Sequence, residues 1–181
     1  MTSSPNEGWP AVFLDRDGTL MRDVDYCGDP GKVDVYPEAA EALRRLKEKG
    51  YKLVIITNQS GIGRGLFSED DYRAVETEFR RQLGDGLIDA SYHCPDLPTS
   101  TSIRRKPGPG MVFEARREHR LDLQRSFFVG DKASDIGCGQ NAGVRTILVQ
   151  TGWGAGENNC RPDWIARDIA HAAEIILREE V

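Results

Sequence analysis

Two aspartates, Asp15 and Asp17, directly follow the apolar run at 11–14. An aspartate carboxylate can attack phosphorus and form a covalent intermediate that water then hydrolyses. A second carboxyl group two residues later can turn back toward the same phosphoryl group, protonate the leaving oxygen and then deprotonate the attacking water. Aspartate-rich turns after strands are common, so the pair indicates phosphoryl transfer only if other fragments supply the remaining groups.

Three further fragments supply those groups in order along the chain. They are ITNQSG at 56–61, RRKP at 104–107 and VGDKASD at 129–135, and each follows a predicted strand. With DRDGT at 15–19 they provide acids, a hydroxyl and amide cradle for phosphate oxygens, and basic side chains. This combination predicts phosphoryl transfer through an aspartyl phosphate.

A cation site is predicted where carboxylates gather beside a phosphate. Mg²⁺ takes one or two protein carboxylates together with phosphate oxygens and water. Asp131, at the end of the strand predicted at 126–130, is the expected second carboxylate ligand beside Asp15. Asp135 is either an outer-sphere partner of the metal or the first-turn acid of the helix predicted at 133–142.

Thr57, Asn58 and Lys106 are candidates for holding the phosphate. A hydroxyl with adjacent backbone amides forms a neutral cradle for phosphate oxygens, although a threonine at a strand end is also a common turn device. A lysine offsets phosphate charge, and Pro107 restricts the loop that carries it. Lys132 is either a phosphate contact or a solvated surface charge.

Short apolar runs that alternate with helical patterns must position these groups. Strands are predicted at 11–15, 52–57, 88–93, 126–130, 145–149 and 163–166. Helices are predicted at 38–49, after Ser68, and at 110–119, 133–142 and 168–179. Apolar strands separated by helices predict an α/β fold with a parallel sheet covered on both faces, in which ligands bind at the carboxyl ends of the strands.

Length favours one domain over residues 1–181, with 1–9 as a flexible leader and 18–36 as a functional flap, because connections of about 2–6 residues are usual. The net charge of −5 disfavours nonspecific nucleic-acid binding, and no apolar run is long enough for a membrane span. The four cysteines lie far apart, which favours reduced thiols in the cytoplasm. We expect a monomer that acts on a small molecule.

Four segments together resemble the haloacid dehalogenase superfamily of phosphatases and, within it, the branch of heptose-bisphosphate and histidinol-phosphate phosphatases. They are FLDRDGTL at 13–20, VIITNQSGIGRG at 54–65, RRKPGPGM at 104–111 and VGDKASDIGCGQNAG at 129–143. The resemblance extends from about residue 10 to residue 152. It implies a doubly wound Rossmann-like parallel sheet with a minimal cap, and Mg²⁺ as the cofactor.

The resemblance also implies roles for individual residues. Asp15 would be the nucleophile and Asp17 the general acid and base, while Asp15, the Asp17 carbonyl and Asp131 would bind Mg²⁺. Thr57 and Lys106 would hold the transferring phosphate. The positions that match substrate-contacting residues are Asp23, Val24, Asp25, Tyr26, Asn58, Gln59, Ser60, Arg105 and Lys132.

The chain departs from that branch in the loop before RRKP. Many members hold a structural zinc there with one CxH pair and one CxC pair. This chain keeps Cys94 and has Asp96, Ser102 and Arg104 at the other three places. A single thiolate cannot form a tetrahedral site, so no structural zinc is expected.

The resemblance implies a Mg²⁺-dependent phosphatase that removes the 7-phosphate of D-glycero-D-manno-heptose 1,7-bisphosphate during synthesis of heptose for surface glycans such as lipopolysaccharide. A phosphatase for histidinol phosphate or another small monoester is the nearer alternative. A signalling receiver domain also accepts phosphate on an aspartate at a strand end, but such domains typically lack an acid two residues later. Asp17 therefore favours the phosphatase.

Overall fold

A single parallel sheet of six strands forms the centre of the protein, whose computed structural model describes residues 8–179. The strands are β1 Ala11–Leu14, β2 Lys52–Asn58, β3 Ala90–Cys94, β4 Phe127–Gly130, β5 Arg145–Val149 and β6 Trp164–Ala166. Their spatial order is β3-β2-β1-β4-β5-β6, and all neighbouring pairs are parallel. The predicted doubly wound α/β fold is therefore confirmed.

Helices connect the strands and cover the sheet. They are α1 Ala39–Glu48, α2 Ser60–Gly63, α3 Glu69–Leu83, α4 Gly110–His119, α5 Ala133–Ala142 and α6 Ile169–Arg178. Helix α3 begins after Ser68, as predicted, with a capping box: the Ser68 hydroxyl accepts from the Asp71 amide at 3.1 Å and the Asp71 carboxylate accepts from the Ser68 amide at 2.7 Å. Helix α2 was not predicted, since its four residues include two glycines.

Both faces of the sheet are buried, as an all-parallel sheet requires. Alternate residues of β1 point to opposite faces: Val12 and Leu14 pack in a cluster with residues of α1, α3 and α6. Ala11 and Phe13 pack in a second cluster with residues of α4 and α5. Because β1 carries apolar side chains in both directions, its sequence is a continuous apolar run rather than an alternating one.

The strand order places a topological switch point between β1 and β4. From β1 the chain builds outward to β2 and β3, then returns to place β4 on the other side of β1. The loops after these two strands therefore diverge and leave a crevice at their carboxyl ends, where such folds bind ligands. Asp15 directly follows β1 and Asp131 directly follows β4.

The segment 18–36 packs onto this end of the sheet. Leu20, Met21 and Cys27 within it are buried, and Met21 forms isolated bridges with Asp17 and Val35. Its regular structure is one 3-10 turn at Pro30–Lys32.

Residues 1–7 of the predicted leader lie outside the described part of the chain. Trp9 is held by the fold, since its amide donates to the Arg120 carbonyl at 2.9 Å and its carbonyl accepts from the Asp122 amide at 2.9 Å. Across residues 8–179, none of the helices combines the length and the apolar character needed to cross a membrane.

Candidate active site

Three buried carboxylates meet below the switch point. Asp15, Asp131 and Asp135 each place one carboxylate oxygen within 4.8 Å of the other two. Burial raises the pKa of Asp15 well above its ordinary value; Lys106 opposes this rise, and the neighbouring acids add to it. Burial, followed by repulsion from Asp135, likewise raises the pKa of Asp131 to about 6. The cluster is therefore a site of concentrated negative charge that favours a cation.

Lys106 supplies a buried positive charge to this cluster. Its ammonium lies 2.6 Å from Asp15 Oδ1 and 2.7 Å from Asp135 Oδ1, and it donates to the Ile56 carbonyl at 2.7 Å. Burial lowers the pKa of Lys106, but the two carboxylates outweigh this effect and raise it above its ordinary value. The lysine is therefore charged and uses all three of its donors.

The loop that carries Lys106 is fixed by Asn58 at the end of β2. Asn58 Oδ1 accepts from the Lys106 amide at 3.0 Å, and Asn58 Nδ2 donates to the Lys106 carbonyl at 3.1 Å. The resemblance implies a substrate contact for Asn58. The residue lines the cavity, but its side chain binds the backbone of the lysine loop and so positions Lys106.

Asp135 is the first-turn acid of α5 and also belongs to the buried carboxylate cluster. Its Oδ2 accepts from the amides of Asp131 at 3.1 Å and Lys132 at 3.0 Å, which caps the start of α5 as a first-turn acid. Its Oδ1 pairs with Lys106 within the carboxylate cluster. Asp135 therefore links the helix, the lysine and the loop that carries Asp131.

The Asp131 carboxylate is clamped between two glycines and the backbone of Trp153. Its Oδ2 accepts from the Trp153 amide at 2.9 Å, and a β-carbon at Gly18 or Gly152 would lie only 2.3 Å from that oxygen. Within residues 8–179, the buried Oδ1 has no hydrogen-bond partner. An immobilised carboxylate with one unused buried oxygen fits a metal ligand, so the donor set suits Mg²⁺.

We expect Mg²⁺ to raise the unfolding temperature of this protein. Binding to the folded state alone stabilises it by about 2.7 kcal/mol when the ligand is at a hundredfold excess over its Kd. Thermal unfolding with and without MgCl₂ measures the effect. The matched control is Asp131→Asn, in which the shift should shrink or vanish because a charged ligand is lost; an equal shift in both proteins would contradict binding at this cluster.

Asp17 lies at the mouth of the cluster and is held from two sides. Gln59 Nε2 donates to its Oδ2 at 2.7 Å and also approaches Thr57 Oγ1 at 2.8 Å. The buried guanidinium of Arg16 contacts both oxygens of Asp17 at 3.1–3.3 Å. The resemblance implies a substrate contact for Gln59, whereas nothing in the local sequence indicates that Arg16 belongs to the site.

A cavity of about 320 Å³ opens above these groups, and most of the predicted site residues line it. Its lining includes the predicted residues Asp15, Asp17, Asp23, Asp25, Tyr26, Thr57, Asn58, Gln59, Ser60, Arg105, Lys106, Lys132 and Asp135. Val24 does not line it. That side chain packs against the apolar core and borders a neighbouring cavity of about 580 Å³ instead.

The rim of the cavity holds an acid between two donors. Asp23 Oδ2 accepts from Lys132 Nζ at 3.1 Å and from the indole of Trp153 at 3.0 Å. Lys132 thus lies at the cavity rather than free in solvent. Trp153 also lines the cavity, and 61% of the residue is exposed.

The loop that departs from the zinc-binding pattern is joined by polar contacts. Cys94 Sγ lies 3.4 Å from Asp96 Oδ2, and Arg104 pairs with Glu114 at 2.8 Å. Arg105 donates to the Asp96 carbonyl at 2.8 Å while lining the cavity. These contacts connect the loop to α4 and to the end of β3.

Comparison with known proteins agrees with this geometry. Residues 12–77 match a model of haloacid dehalogenase-like hydrolases, and residues 103–172 match a second model of HAD-like hydrolases. The chain is 39% identical to the D-glycero-D-manno-heptose-1,7-bisphosphate 7-phosphatase of Thermosynechococcus vestitus, covering 92% of this chain and 95% of the relative. It is 35% identical to the D-glycero-beta-D-manno-heptose-1,7-bisphosphate 7-phosphatase of Yersinia pestis, with the same two coverages of 92% and 95%.

A solved structure agrees as well. The D,D-heptose 1,7-bisphosphate phosphatase of B. bronchiseptica, complexed with magnesium and phosphate, has a TM-score of 0.87 and 33% identity over 94% of this chain and 99% of that one. The motifs, the sheet order and these matches lead to one assignment. The chain belongs to the haloacid dehalogenase-like hydrolases and, within them, to the family of heptose-bisphosphate phosphatases, which are phosphoric monoester hydrolases.

Proposed function

We propose that this protein removes the 7-phosphate of D-glycero-D-manno-heptose 1,7-bisphosphate through an aspartyl phosphate on Asp15, with Mg²⁺ as cofactor. The observation that carries the proposal is the Asp15 carboxylate, buried against Lys106 at 2.6 Å at the bottom of a cavity that also contains Asp17. Relatives at 35–39% identity bear the name of this phosphatase, and a structural neighbour is complexed with magnesium and phosphate.

In the first step, the Asp15 carboxylate attacks the phosphorus of the 7-phosphate. A bond forms between an Asp15 oxygen and phosphorus, and the bond from phosphorus to the sugar oxygen breaks. The carboxyl group of Asp17 gives its proton to that oxygen, so the sugar leaves as a neutral alcohol. Without this proton an alkoxide would have to leave, which is why the acid matters for a sugar substrate.

In the second step, water attacks the phosphorus of the acyl phosphate. Asp17, now a carboxylate, takes a proton from the water while the bond between phosphorus and Asp15 breaks. Inorganic phosphate leaves, Asp15 returns as a carboxylate and Asp17 is again protonated. Asp17 thus donates a proton in the first step and accepts one in the second, so the protons balance over the whole reaction.

The surrounding residues hold and neutralise the phosphoryl group. The Lys106 ammonium offsets its charge, and Thr57 and the backbone after β2 offer hydrogen bonds to its oxygens. Bound by Asp15, the Asp17 carbonyl and Asp131, Mg²⁺ would supply further charge screening between the carboxylate and the incoming phosphate. Arg105 and Lys132 also line the cavity, and we propose that they bind the second phosphate of the substrate.

The test is phosphate release from both anomers of heptose 1,7-bisphosphate and from histidinol phosphate, with and without Mg²⁺. We expect Mg²⁺-dependent release with the higher kcat/KM on one of the heptose anomers. Phosphorus NMR should show loss of the 7-phosphate signal and retention of the anomeric phosphate. A higher kcat/KM on histidinol phosphate would replace the substrate assignment, and a long-lived phosphoenzyme would instead support a signalling role.

We further propose that the enzyme acts as a monomer in the cytoplasm, where the product enters synthesis of nucleotide-activated heptose for surface glycans. Sedimentation velocity of the purified protein tests the first part, and fractionation of producing cells tests the second. A stable dimer or recovery in a membrane fraction would contradict these assignments without affecting the chemistry at Asp15.

A further inference from the structure

Arg16 is an unusual residue in its position. It lies between the two catalytic candidates Asp15 and Asp17, yet its side chain is fully buried and is among the largest fully buried side chains in residues 8–179. Arginine is rarely buried completely unless it is paired, because an isolated buried charge is very costly. The guanidinium of Arg16 is indeed paired, as its contacts show.

Those contacts divide between the active site and helix α3. On one side, Nε and Nη2 donate to Asp17 Oδ1 at 3.3 and 3.2 Å, and Nη2 donates to Oδ2 at 3.1 Å. On the other side, Nη1 forms an ion pair with Glu76 Oε2 at 3.5 Å, and the guanidinium lies 5.4 Å from the centre of the Tyr72 ring. The arginine thus bridges Asp17 to helix α3.

Glu76, the anchor of this bridge, is itself fixed. Its Oε1 accepts from Arg80 Nε at 3.0 Å and from the Ser91 hydroxyl at 2.6 Å. Helix α3 and strand β3 therefore hold Glu76, Glu76 helps to hold Arg16, and Arg16 holds Asp17. Each member of this chain of contacts therefore has a polar partner on the side away from the cavity.

We propose that Arg16 is a positioning residue that fixes the orientation of the Asp17 carboxyl group for proton transfer to the leaving oxygen. A planar guanidinium that contacts both oxygens restricts rotation of the carboxyl group more than a point charge could. Misplacement of a catalytic group by about 1 Å can cost about a hundredfold in rate. The inference rests on the proposed function, since it assumes that Asp17 acts as the acid.

The test compares substrates that differ in their need for a proton. A sugar phosphate must be protonated to leave as an alcohol, whereas 4-nitrophenyl phosphate releases a stable phenolate. We expect Arg16→Met to lower kcat/KM for heptose bisphosphate by about 10²-fold or more, within the range that general acid catalysis contributes. For 4-nitrophenyl phosphate, kcat/KM reports phosphoenzyme formation without that proton, and we expect a change of less than about threefold.

Two further variants separate loss of the planar contact from a general folding defect. Arg16→Lys retains a buried cation and should fold even if Arg16→Met does not; because it loses the planar contact, we expect a selective loss of about tenfold on the sugar phosphate. Tyr72→Phe alters the same buried neighbourhood without touching Asp17 and should affect both substrates equally and weakly. Equal losses on both substrates in the Arg16 variants, or no loss, would overturn the positioning role.

The variant Asp17→Asn distinguishes failure of the Arg16 positioning role from failure of the proposed role of Asp17 as general acid. If Asp17→Asn shows the selective loss on heptose bisphosphate and Arg16→Lys does not, the positioning role is wrong and the phosphatase mechanism stands. If Asp17→Asn also fails to discriminate between the two substrates, the assignment of Asp17 as the acid is wrong. Both outcomes can be read from the same set of kcat/KM values.

Discussion

Asp15→Asn should lower kcat by about 10⁴-fold or more, the size of loss seen when a catalytic nucleophile is removed. The amide keeps the shape of the side chain but cannot form the acyl phosphate, so the substrate has no covalent route. Purified variant and wild-type proteins are compared by phosphate release with heptose bisphosphate. Retention of more than a few per cent of the wild-type rate would contradict an aspartyl phosphate at this residue.

The same substitution should leave the fold intact. Lys106 keeps its contacts with Asp135 and the Ile56 carbonyl, and one source of repulsion within the acid cluster disappears. We therefore expect Asp15→Asn to unfold at the wild-type temperature or above it. Asp168→Asn is a matched control: Asp168 caps α6, and asparagine is an equally good cap, so both activity and stability should be retained.

Lys106→Met is expected to be among the most destabilising single substitutions in this protein. It would leave Asp15 and Asp135 buried without the ammonium that lies 2.6 and 2.7 Å from them. Removing one partner of a buried ion pair typically costs about 3–5 kcal/mol of unfolding free energy. Urea unfolding measured without Mg²⁺ gives this quantity directly, and phosphate release should fall to background in the same variant.

The double variant Lys106→Met/Asp135→Asn tests whether the unpaired carboxylates cause the loss of unfolding free energy in Lys106→Met. Removing one of the stranded carboxylates should recover part of the lost unfolding free energy, which a double-mutant cycle expresses as a coupling energy. Activity should not return, because the phosphate still lacks its cation. A single Lys106→Met variant as stable as the wild type would show that the acid cluster does not depend on the lysine for charge balance.

The sequence predicts the sheet and its site because local signals and topology agree there. The apolar runs of β1 and β4 end at Asp15 and Asp131, and parallel strands bring their carboxyl ends together without further information. The basic loop before Pro107 indicates Lys106 as a phosphate-binding lysine, but it does not show which side chains Lys106 contacts. Its contact with Asp15 depends on Asn58, and no local pattern in the loop shows that pairing.

The positions of Arg16, Trp153 and Val24 could not be predicted from local sequence. Arg16 is polar by type, and only the packing of α3 shows that its side chain turns inward. Trp153 lies between two glycines, and the backbone conformation there directs its indole to Asp23 at the cavity. The apolar side chain of Val24, within the flap, packs against the core, whereas its neighbours Asp23 and Asp25 line the cavity. Periodicity does not encode these choices, because they depend on contacts between segments far apart in the chain.

The strand order also has a consequence for biosynthesis. Before the second half of the chain is made, β1 lies at one edge of the sheet that β1, β2 and β3 can form, and the hydrogen-bonding edge of β1 has no partner until β4 emerges. At about 5–20 residues per second, the interval between synthesis of β3 and synthesis of β4 lasts a few seconds. Exposed apolar edges recruit other chains, so truncated products ending before β4 should aggregate or require chaperones.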